Sequence, residues 1–401
     1  MSIATIGLAL ADRVLPVPSS STARSIGPGH NPRDLLGPAI EVTESRISFA
    51  RGVFDHCCSN SYLGLAGCPE IREQIAHFID QGQALGAHGS AELNGFTLWH
   101  EQLSAAIGEI YGCGAVLLYG SGYLANISAI AAVVSGDDHL FVDERCHQSL
   151  IDGCRLSGAK ISVYRHNDGG DLESLLSDTP RAPNAVWAIV TEGVFSIEGD
   201  VLDLPSVHAL ARRFDCRLIV DEACSLGLLG VDGSGVETHF GLPGAIDIRT
   251  GTMAKALAST GGYVTCNSGD LMRLRFQRGA SFSTSLSALN AFIALQIAKR
   301  LRQDGRALKV SLDRNVTLWR EGLNALGFDT GRSSTAIVPI LCADSGAAMA
   351  LFQRSLDLGI YTLLISPLWS KQVHAVRTSV TSAHEPERLR NIVARFTVGG
   401  K

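Results

Sequence analysis

The sequence predicts an α/β fold in which helices flank a mostly parallel sheet. One observation is the apolar run at residues 218–220, which ends in Asp221 and Glu222, as expected of a buried parallel strand with a carboxylate at its carboxyl end. Another is a strand-like run at residues 115–119 that leads into a glycine-containing turn and an apolar helix. Ligands of such sheets bind beyond the carboxyl ends of the strands, so Asp221 is a candidate site residue.

Length and composition favour two or three domains that act on a small molecule. The chain has 401 residues, of which 46% are hydrophobic, and no long linker divides it. Its net charge is −5 and the charges are mixed along the chain, which argues against nucleic acid and anionic lipid as partners. The ten cysteines form no CxxC or zinc-like pattern, and Cys57 and Cys58 are adjacent, so we expect reduced thiols, no metal site and a cytoplasmic protein.

Residues 1–57 are expected to form an N-terminal arm and a segment of a small domain. Residues 3–11 are apolar but follow no Lys or Arg, so we interpret them as a helix or arm and not as a signal peptide. Residues 16–38 are rich in Ser, Gly and Pro, which favours an extended or partly mobile segment, and regular structure is expected to resume at Cys58. No run approaches eighteen apolar residues, so a membrane span is not expected.

Lys255 lies downstream of Asp221, among small residues and with few charged neighbours. A lysine that is removed from water can act as a nucleophilic amine. Any single Asp and Lys would more often be a loop cap and a surface charge, so the assignment depends on the motifs around them.

A glycine-rich turn at residues 120–126 reads GSGYLAN and lies where a strand passes into a helix. The unpaired N–H groups at the start of a helix form a ready phosphate site. The turn also matches GxGxxA, so on its own it is compatible with a dinucleotide site in which Asp143 binds the ribose.

Several longer motifs distinguish these alternatives. They read SNSYLGL at residues 59–65, SGYLAN at 121–126, DERCHQS at 143–149, RHND at 165–168 and EGVFSIEGD at 192–200. In this order they resemble the α-oxoamine synthases, which include 8-amino-7-oxononanoate synthase, serine palmitoyltransferase and CqsA-like autoinducer synthases. These are fold-type I enzymes that use pyridoxal 5'-phosphate (PLP), and the resemblance extends over nearly the whole chain after Ile40. It implies an aspartate aminotransferase-like fold.

The resemblance also implies a domain order. Residues 58–285 would form the PLP-binding major domain, and residues 286–401 would form linking helices and a smaller α+β domain. Apolar residues recur at helical spacing between residues 286 and 326, which predicts long helices there. Strands are expected at residues 337–341, 359–365 and 375–380, and the RHND turn is expected to have a structural role.

The resemblance assigns a role to each candidate site residue. Asp221 would pair with the pyridine nitrogen of PLP, Lys255 would bind its aldehyde covalently as an imine, and His147 would stack on its ring. A carboxylate at the nitrogen keeps the ring protonated, so that it can accept electrons. Asn60 and Arg377 would contact the amino-acid substrate. The other expected cofactor contacts are Ser121, Gly122, Tyr123, Ser196, Ala223, Cys224, Thr252, Ser283 and Thr284.

Three positions depart from the family pattern. Ala91 and Ser104 replace the usual arginine and glutamate, and Cys224 replaces a histidine that hydrogen-bonds the phenolic oxygen of PLP. A thiol is a smaller and weaker donor than an imidazole, so polarisation of the cofactor is expected to be weaker. Because a cationic site can lower a thiol pKa, a second hypothesis is that Cys224 accepts an acyl group.

The implied activity is a PLP-dependent acyl transfer. A small α-amino acid would condense with an acyl thioester of coenzyme A or of a carrier protein, releasing carbon dioxide and giving an α-amino ketone. Ser283 or Thr284 would reach the phosphate of the neighbouring subunit, so a homodimer with shared sites is expected. The alternatives are a PLP aldolase, decarboxylase or aminotransferase that uses no thioester, and a noncatalytic partner subunit, although such subunits tend to lose the lysine that this chain keeps.

Overall fold

The computed structural model describes residues 35–365 and 373–397, and the described chain begins with three short antiparallel strands. These are β1 (Glu41–Val42), β2 (Arg46–Phe49) and β3 (Gly52–His56). The expectation that regular structure begins at Cys58 is therefore wrong, because strands this short give only a weak alternating pattern. The predicted helix or arm at residues 3–11 lies outside the described residues, as does most of the segment 16–38.

A seven-stranded sheet forms the centre of the described chain. Its spatial order is β4-β10-β9-β8-β7-β5-β6, and only β10 runs antiparallel to its neighbours. The predicted mostly parallel sheet is confirmed. Its strands are β4 (Ala115–Tyr119), β5 (His139–Asp143), β6 (Lys160–Tyr164), β7 (Trp187–Glu192), β8 (Cys216–Asp221), β9 (Ile248–Thr252) and β10 (Gly262–Cys266).

Both faces of this sheet are buried, which explains why the middle residues of β7 and β8, 188–190 and 218–220, are apolar. In β8, Leu218 and Val220 belong to one apolar cluster while Ile219 belongs to another, because successive side chains point to opposite faces. In the described part of the chain, seven helices of four or more residues precede or connect these strands. They are α1 (Pro69–Asp80), α2 (Leu98–Tyr111), α3 (Gly122–Val133), α4 (Gln148–Ser157), α5 (Gly169–Asp178), α6 (Leu204–Arg213) and α7 (Val236–Phe240).

A single long helix leads away from the sheet. After α8 (Ser268–Arg275) and α9 (Arg278–Ser281), α10 runs without a break from Ala288 to Ala325, a length of about 57 Å at 1.5 Å per residue. The sequence predicts several helices here, and the structure has one. Gly305 lies inside this helix without ending it. A Cβ at that position would lie 2.4 Å from the carbonyl oxygen of Asp232, so the glycine allows the helix to pack closely there.

The remaining elements bring the two ends of the described chain together. Strands β11 (Ile337–Leu341), β14 (Ala375–Ser379) and β13 (Leu363–Ile365) form an antiparallel sheet. Strand β12 (Ile360–Tyr361) pairs in parallel with β3. Asp55 of β3 also forms ion pairs with Arg388 and Arg395 of the last helix. The division of the chain after residues 57 and 285 stays a prediction. The accompanying helices are α11 (Ser345–Asp357) and α12 (Pro386–Arg395).

Within residues 35–365 and 373–397, no helix combines the length and the apolar character that a membrane crossing requires.

Candidate active site

Asp221 ends β8 at the carboxyl edge of the central sheet, beside Glu192 at the end of β7. Both side chains are buried. Each carboxylate oxygen of Asp221 accepts a hydrogen bond: Oδ2 from Nδ2 of Asn126 at 2.7 Å, and Oδ1 from the backbone N–H of Ala223 at 2.8 Å. The predicted strand-end carboxylate is therefore held rigidly where a ligand of this sheet would bind.

Lys255 follows β9 and points towards the end of β8. Its Nζ lies 2.8 Å from Sγ of Cys224, which in turn lies 3.8 Å from the hydroxyl of Tyr62. Burial alone would lower the pKa of Lys255, but the neighbouring Cys224 and Tyr62, together with Asp221, raise this pKa overall.

The predicted phosphate turn lies at the start of α3. Ser121 caps the helix, because its Oγ accepts the N–H of Leu124 at 3.1 Å. Gly122 lets the turn approach β9 closely, since a Cβ there would lie 2.9 Å from Cβ of Thr252. The structure thus brings Ser121, Gly122 and Thr252 together, while the hydroxyl of Tyr123 donates to Asp152 at 2.7 Å.

His147 is the N-cap of α4. Its Nδ1 accepts the backbone N–H of Ser149 at 3.2 Å and lies 2.7 Å from Oγ of Ser149. The backbone N–H of His147 donates to Oε1 of Glu192 at 2.5 Å, which ties the cap to the end of β7. His147 is exposed as a residue, yet the surrounding protein desolvates the ring enough to lower the pKa of His147.

Arg377 is buried on β14, although an isolated arginine on a strand is more often a surface residue. Its Nη2 donates to Oδ1 of Asn60 at 3.1 Å, and its Nε donates to the carbonyl oxygen of Ser196 at 2.7 Å. Asn60 Oδ1 also lies 3.4 Å from the hydroxyl of Tyr62. A continuous series of polar contacts therefore leads from Lys255 to Arg377.

Ser283 and Thr284 lie beside the phosphate turn of their own chain. The carbonyl oxygen of Thr284 is 3.4 Å from the position that a Cβ would take at Gly120. The hydroxyl of Ser283 lies 3.4 Å from that same oxygen. Among the described residues, neither hydroxyl bonds to the turn of its own chain.

Four residues of the site had no role in the sequence-based assignment: Tyr62, Asn126, Ser149 and Glu192. All are buried and lie in the quoted motifs, close to residues that were assigned. Asn126 offered the clearest signal, because an amide in an otherwise apolar helix needs hydrogen-bond partners when it is buried.

Comparison with known proteins assigns the family. The model of the family "aminotransferase class I and II" matches residues 57–396. The chain belongs to this family. Among similar members, the 8-amino-7-oxononanoate synthase of Thermoanaerobacter pseudethanolicus is 36% identical over 345 residues, which are 86% of this chain and 87% of that protein. The serine palmitoyltransferase of Sphingobacterium spiritivorum is 32% identical over 340 residues, 84% of each chain.

Solved structures of family members agree with this assignment. Serine palmitoyltransferase from Sphingomonas wittichii has a TM-score of 0.84 and 25% identity, over 98% of this chain and 95% of that one. A serine palmitoyltransferase structure with PLP has a TM-score of 0.83 and 26% identity, over 90% of this chain and 91% of that one. The chain is therefore a fold-type I enzyme of the α-oxoamine synthase group of this family, as the sequence predicts.

The cofactor of this enzyme is PLP, and its residues fit that molecule. The start of α3 offers N–H donors for a phosphate, Asp221 offers a carboxylate for the pyridine nitrogen, and Lys255 offers an amine for the aldehyde. The prediction of PLP is confirmed, while the roles of the individual residues remain predictions.

Proposed function

We propose that this enzyme condenses a small α-amino acid with an acyl thioester and releases carbon dioxide, the free thiol and an α-amino ketone. The observation that carries the proposal is the series of polar contacts from Lys255 through Cys224, Tyr62 and Asn60 to Arg377. It places Lys255, the proposed attachment point of the cofactor that takes up the amino group, in one site with the guanidinium of Arg377, which suits the substrate carboxylate. The names of the relatives, a synthase and an acyltransferase, support the thioester as second substrate.

The proposed cofactor contacts surround the end of the central sheet. PLP, when bound, supplies an electron sink for the electron pair left on Cα of the substrate. Asp221 would hold the pyridine nitrogen, Lys255 the aldehyde carbon, and His147 would face the ring. The phosphate would be held by Ser121, Gly122, Tyr123 and Thr252 of one chain and by Ser283 and Thr284 of its neighbour, and the phenolic oxygen would be approached by Ser196, Ala223 and Cys224.

Arg377 is prepared to bind the substrate carboxylate. Asn60 and the carbonyl of Ser196 fix its guanidinium before substrate arrives, so less conformational entropy is lost on binding. Lys255 Nζ, released when the amino acid takes its place, would remove the Cα proton. The substrate is thereby held at both ends while its Cα becomes the carbon nucleophile that attacks the thioester.

Cys224 is proposed to donate a weak hydrogen bond and not to carry an acyl group. Its side chain is buried, and Lys255 and Tyr62 flank its sulfur, so a bulky thioester has little room to approach it. These observations favour the donor role over the acyl-acceptor hypothesis.

We also propose a homodimer with shared active sites. Residues 89–95 pack against Ser285, and the ion pair between Glu92 and Arg275 joins the same two segments. Large apolar side chains are exposed within residues 93–98 and 276–282, and neighbouring segments that expose several such side chains are typical of a protein interface. They are Leu93, Phe96, Leu98, Phe276 and Phe282.

The condensation can be tested with the purified holoenzyme, a panel of amino acids, and acyl thioesters of coenzyme A and of a carrier protein. We expect one pair to release free thiol and to give a new ketone in the mass spectrum. The Lys255→Ala variant should give neither product. Transfer of the amino group to a keto acid without any thioester would instead indicate an aminotransferase.

The covalent role of Lys255 has a separate test. Borohydride reduction followed by peptide mapping should place a pyridoxyl group on Lys255. A label on any other lysine would contradict the assignment of the site.

A further inference from the structure

A chain of hydrogen bonds connects Asp221 to His147 through side chains on separate elements. Nδ2 of Asn126, on α3, donates to Oδ2 of Asp221 at 2.7 Å and to Oγ of Ser149 at 2.8 Å. Oγ of Ser149, on α4, lies 2.7 Å from Nδ1 of His147. Thr250, on β9, donates its hydroxyl to Oδ1 of Asn126. Asn126, Ser149, Thr250 and Asp221 are all buried, so water cannot replace these partners.

The partners of Asn126 fix the orientation of its amide. If the amide were rotated by half a turn, Oδ1 would face a carboxylate oxygen of Asp221, and two acceptors would be in contact. The observed orientation instead gives each of its polar atoms a complementary partner. Nδ2 therefore donates to Oγ of Ser149, and the hydroxyl hydrogen of Ser149 is left to point at His147.

Two donors then converge on one nitrogen of the imidazole. Nδ1 of His147 faces the hydroxyl hydrogen of Ser149, and it also accepts the backbone N–H of Ser149 at 3.2 Å. A backbone N–H can only donate, so Nδ1 carries no proton. The neutral ring must then carry its proton on Nε2, because the tautomer is set by the bonds that the other nitrogen makes. Among the described residues, Nε2 has no hydrogen-bond partner.

We propose that Asn126 and Ser149 are positioning residues that hold His147 as its Nε2–H tautomer and fix its ring relative to Asp221. Nε2 then enters the reaction as a hydrogen-bond donor, and neither ring nitrogen is available as a base at the start of the cycle. The use of this donor in the condensation depends on the proposed function, whereas the tautomer depends only on the protein.

The tautomer can be measured by NMR on the full-length holoenzyme labelled with ¹⁵N-histidine, without substrate. The chain has 12 histidines, and the signals that disappear in His147→Gln identify this ring. In the neutral ring we expect a pyridine-type Nδ1 and a pyrrole-type Nε2. A pyrrole-type Nδ1 in the wild-type protein would overturn the proposal.

Variants test the connection to Asn126. Ser149→Ala should shift the Nδ1 resonance of His147, because Nδ1 loses the nearer donor. Asn126→Ala should also shift it, although Asn126 does not touch the ring. Ser128→Ala, on the same helix but outside the chain of hydrogen bonds, is the matched control and should leave the resonance unchanged.

An Nδ1 resonance that responds to Ser149→Ala but not to Asn126→Ala would refute the role of Asn126. If Asn126→Ala does not fold, Thr250→Val serves instead, since it keeps the side-chain shape and releases the amide of Asn126. If the NMR result is the expected one but no condensation is detected, the proposed function is rejected and the positioning role stands. Loss of the tautomer with an active enzyme would reject only the positioning role.

Discussion

His166 joins two carboxylates beside the active site and should make the stability of the protein pH-dependent. Its Nδ1 lies 3.0 Å from Oδ1 of Asp143, at the end of β5, and its Nε2 lies 3.0 Å from Oδ2 of Asp200. Burial alone would lower the pKa of His166, but hydrogen bonds and charge attraction from both carboxylates raise it to about 9. At neutral pH the imidazolium therefore donates to both acids and anchors the loop that contains Ser196.

The magnitude follows from the difference between the folded pKa, about 9, and the ordinary value of 6.5. Because the folded pKa is the higher one, the stabilisation is complete below pH 6.5 and is lost as the pH rises through 9. Between pH 7 and pH 10 the loss amounts to about 2.5 kcal/mol, at about 1.4 kcal/mol per pKa unit. The side chain is only 8% exposed, so solvent screening removes little of it.

The test compares the free energy of unfolding in urea at pH 7 and at pH 10 for the wild type and for His166→Gln. Glutamine keeps a donor but carries no charge, so the wild type should lose about 2.5 kcal/mol more than the variant over this interval. Groups that titrate in both proteins cancel in the comparison. His208→Gln is the control and should behave like the wild type, since the side chain of His208 contacts the carbonyl oxygen of Ala245 and, within residues 35–365 and 373–397, no carboxylate. Equal pH dependence in the wild type and in His166→Gln would refute the assigned role of the carboxylates.

Further predictions concern catalysis, assembly and the buried core. Cys224→Ala should lower kcat/KM about tenfold or less, since one neutral hydrogen bond contributes roughly 0.5–1.5 kcal/mol. Cys224→His should keep PLP bound. An acyl adduct that intact mass and peptide mapping place on Cys224 would contradict the donor role. Mixing inactive Lys255→Ala and inactive Thr284→Ala proteins should restore some activity, whereas no recovery together with a monomer in sedimentation would argue against shared sites. Arg249→Met should lower the free energy of unfolding, measured by thermal unfolding, by about 3–5 kcal/mol, because it leaves the buried carboxylates of Glu222 and Glu237 unpaired. Breaking the exposed ion pair between Arg213 and Glu173 should lower it by less than about 1 kcal/mol.

Motif order along the chain was enough to predict the fold, the family and the cofactor. Residues 115–119 and 218–220 carry a clear strand signal, because strand segments that are packed inside a sheet of this kind are continuous apolar runs. Asp221 and Lys255 could be singled out because their chemistry requires particular residue types within recognisable flanks. The strands at residues 41–56 were not predicted, because they are too short to show a clear alternating pattern and form a sheet only by pairing with each other and with β12.

The sequence by itself determined which chemistry the chain can support, because side-chain types and local turns are encoded within a few neighbouring residues. Only the tertiary structure decided which polar atoms meet. Asn126 and Ser149 are 23 residues apart, and Asn60 and Arg377 are 317 apart, yet each pair shares a hydrogen bond. Such contacts arise from the packing of whole elements, which no local pattern specifies. The same packing sets the pKa of His166 and the tautomer of His147, because desolvation and donor placement are properties of the assembled site.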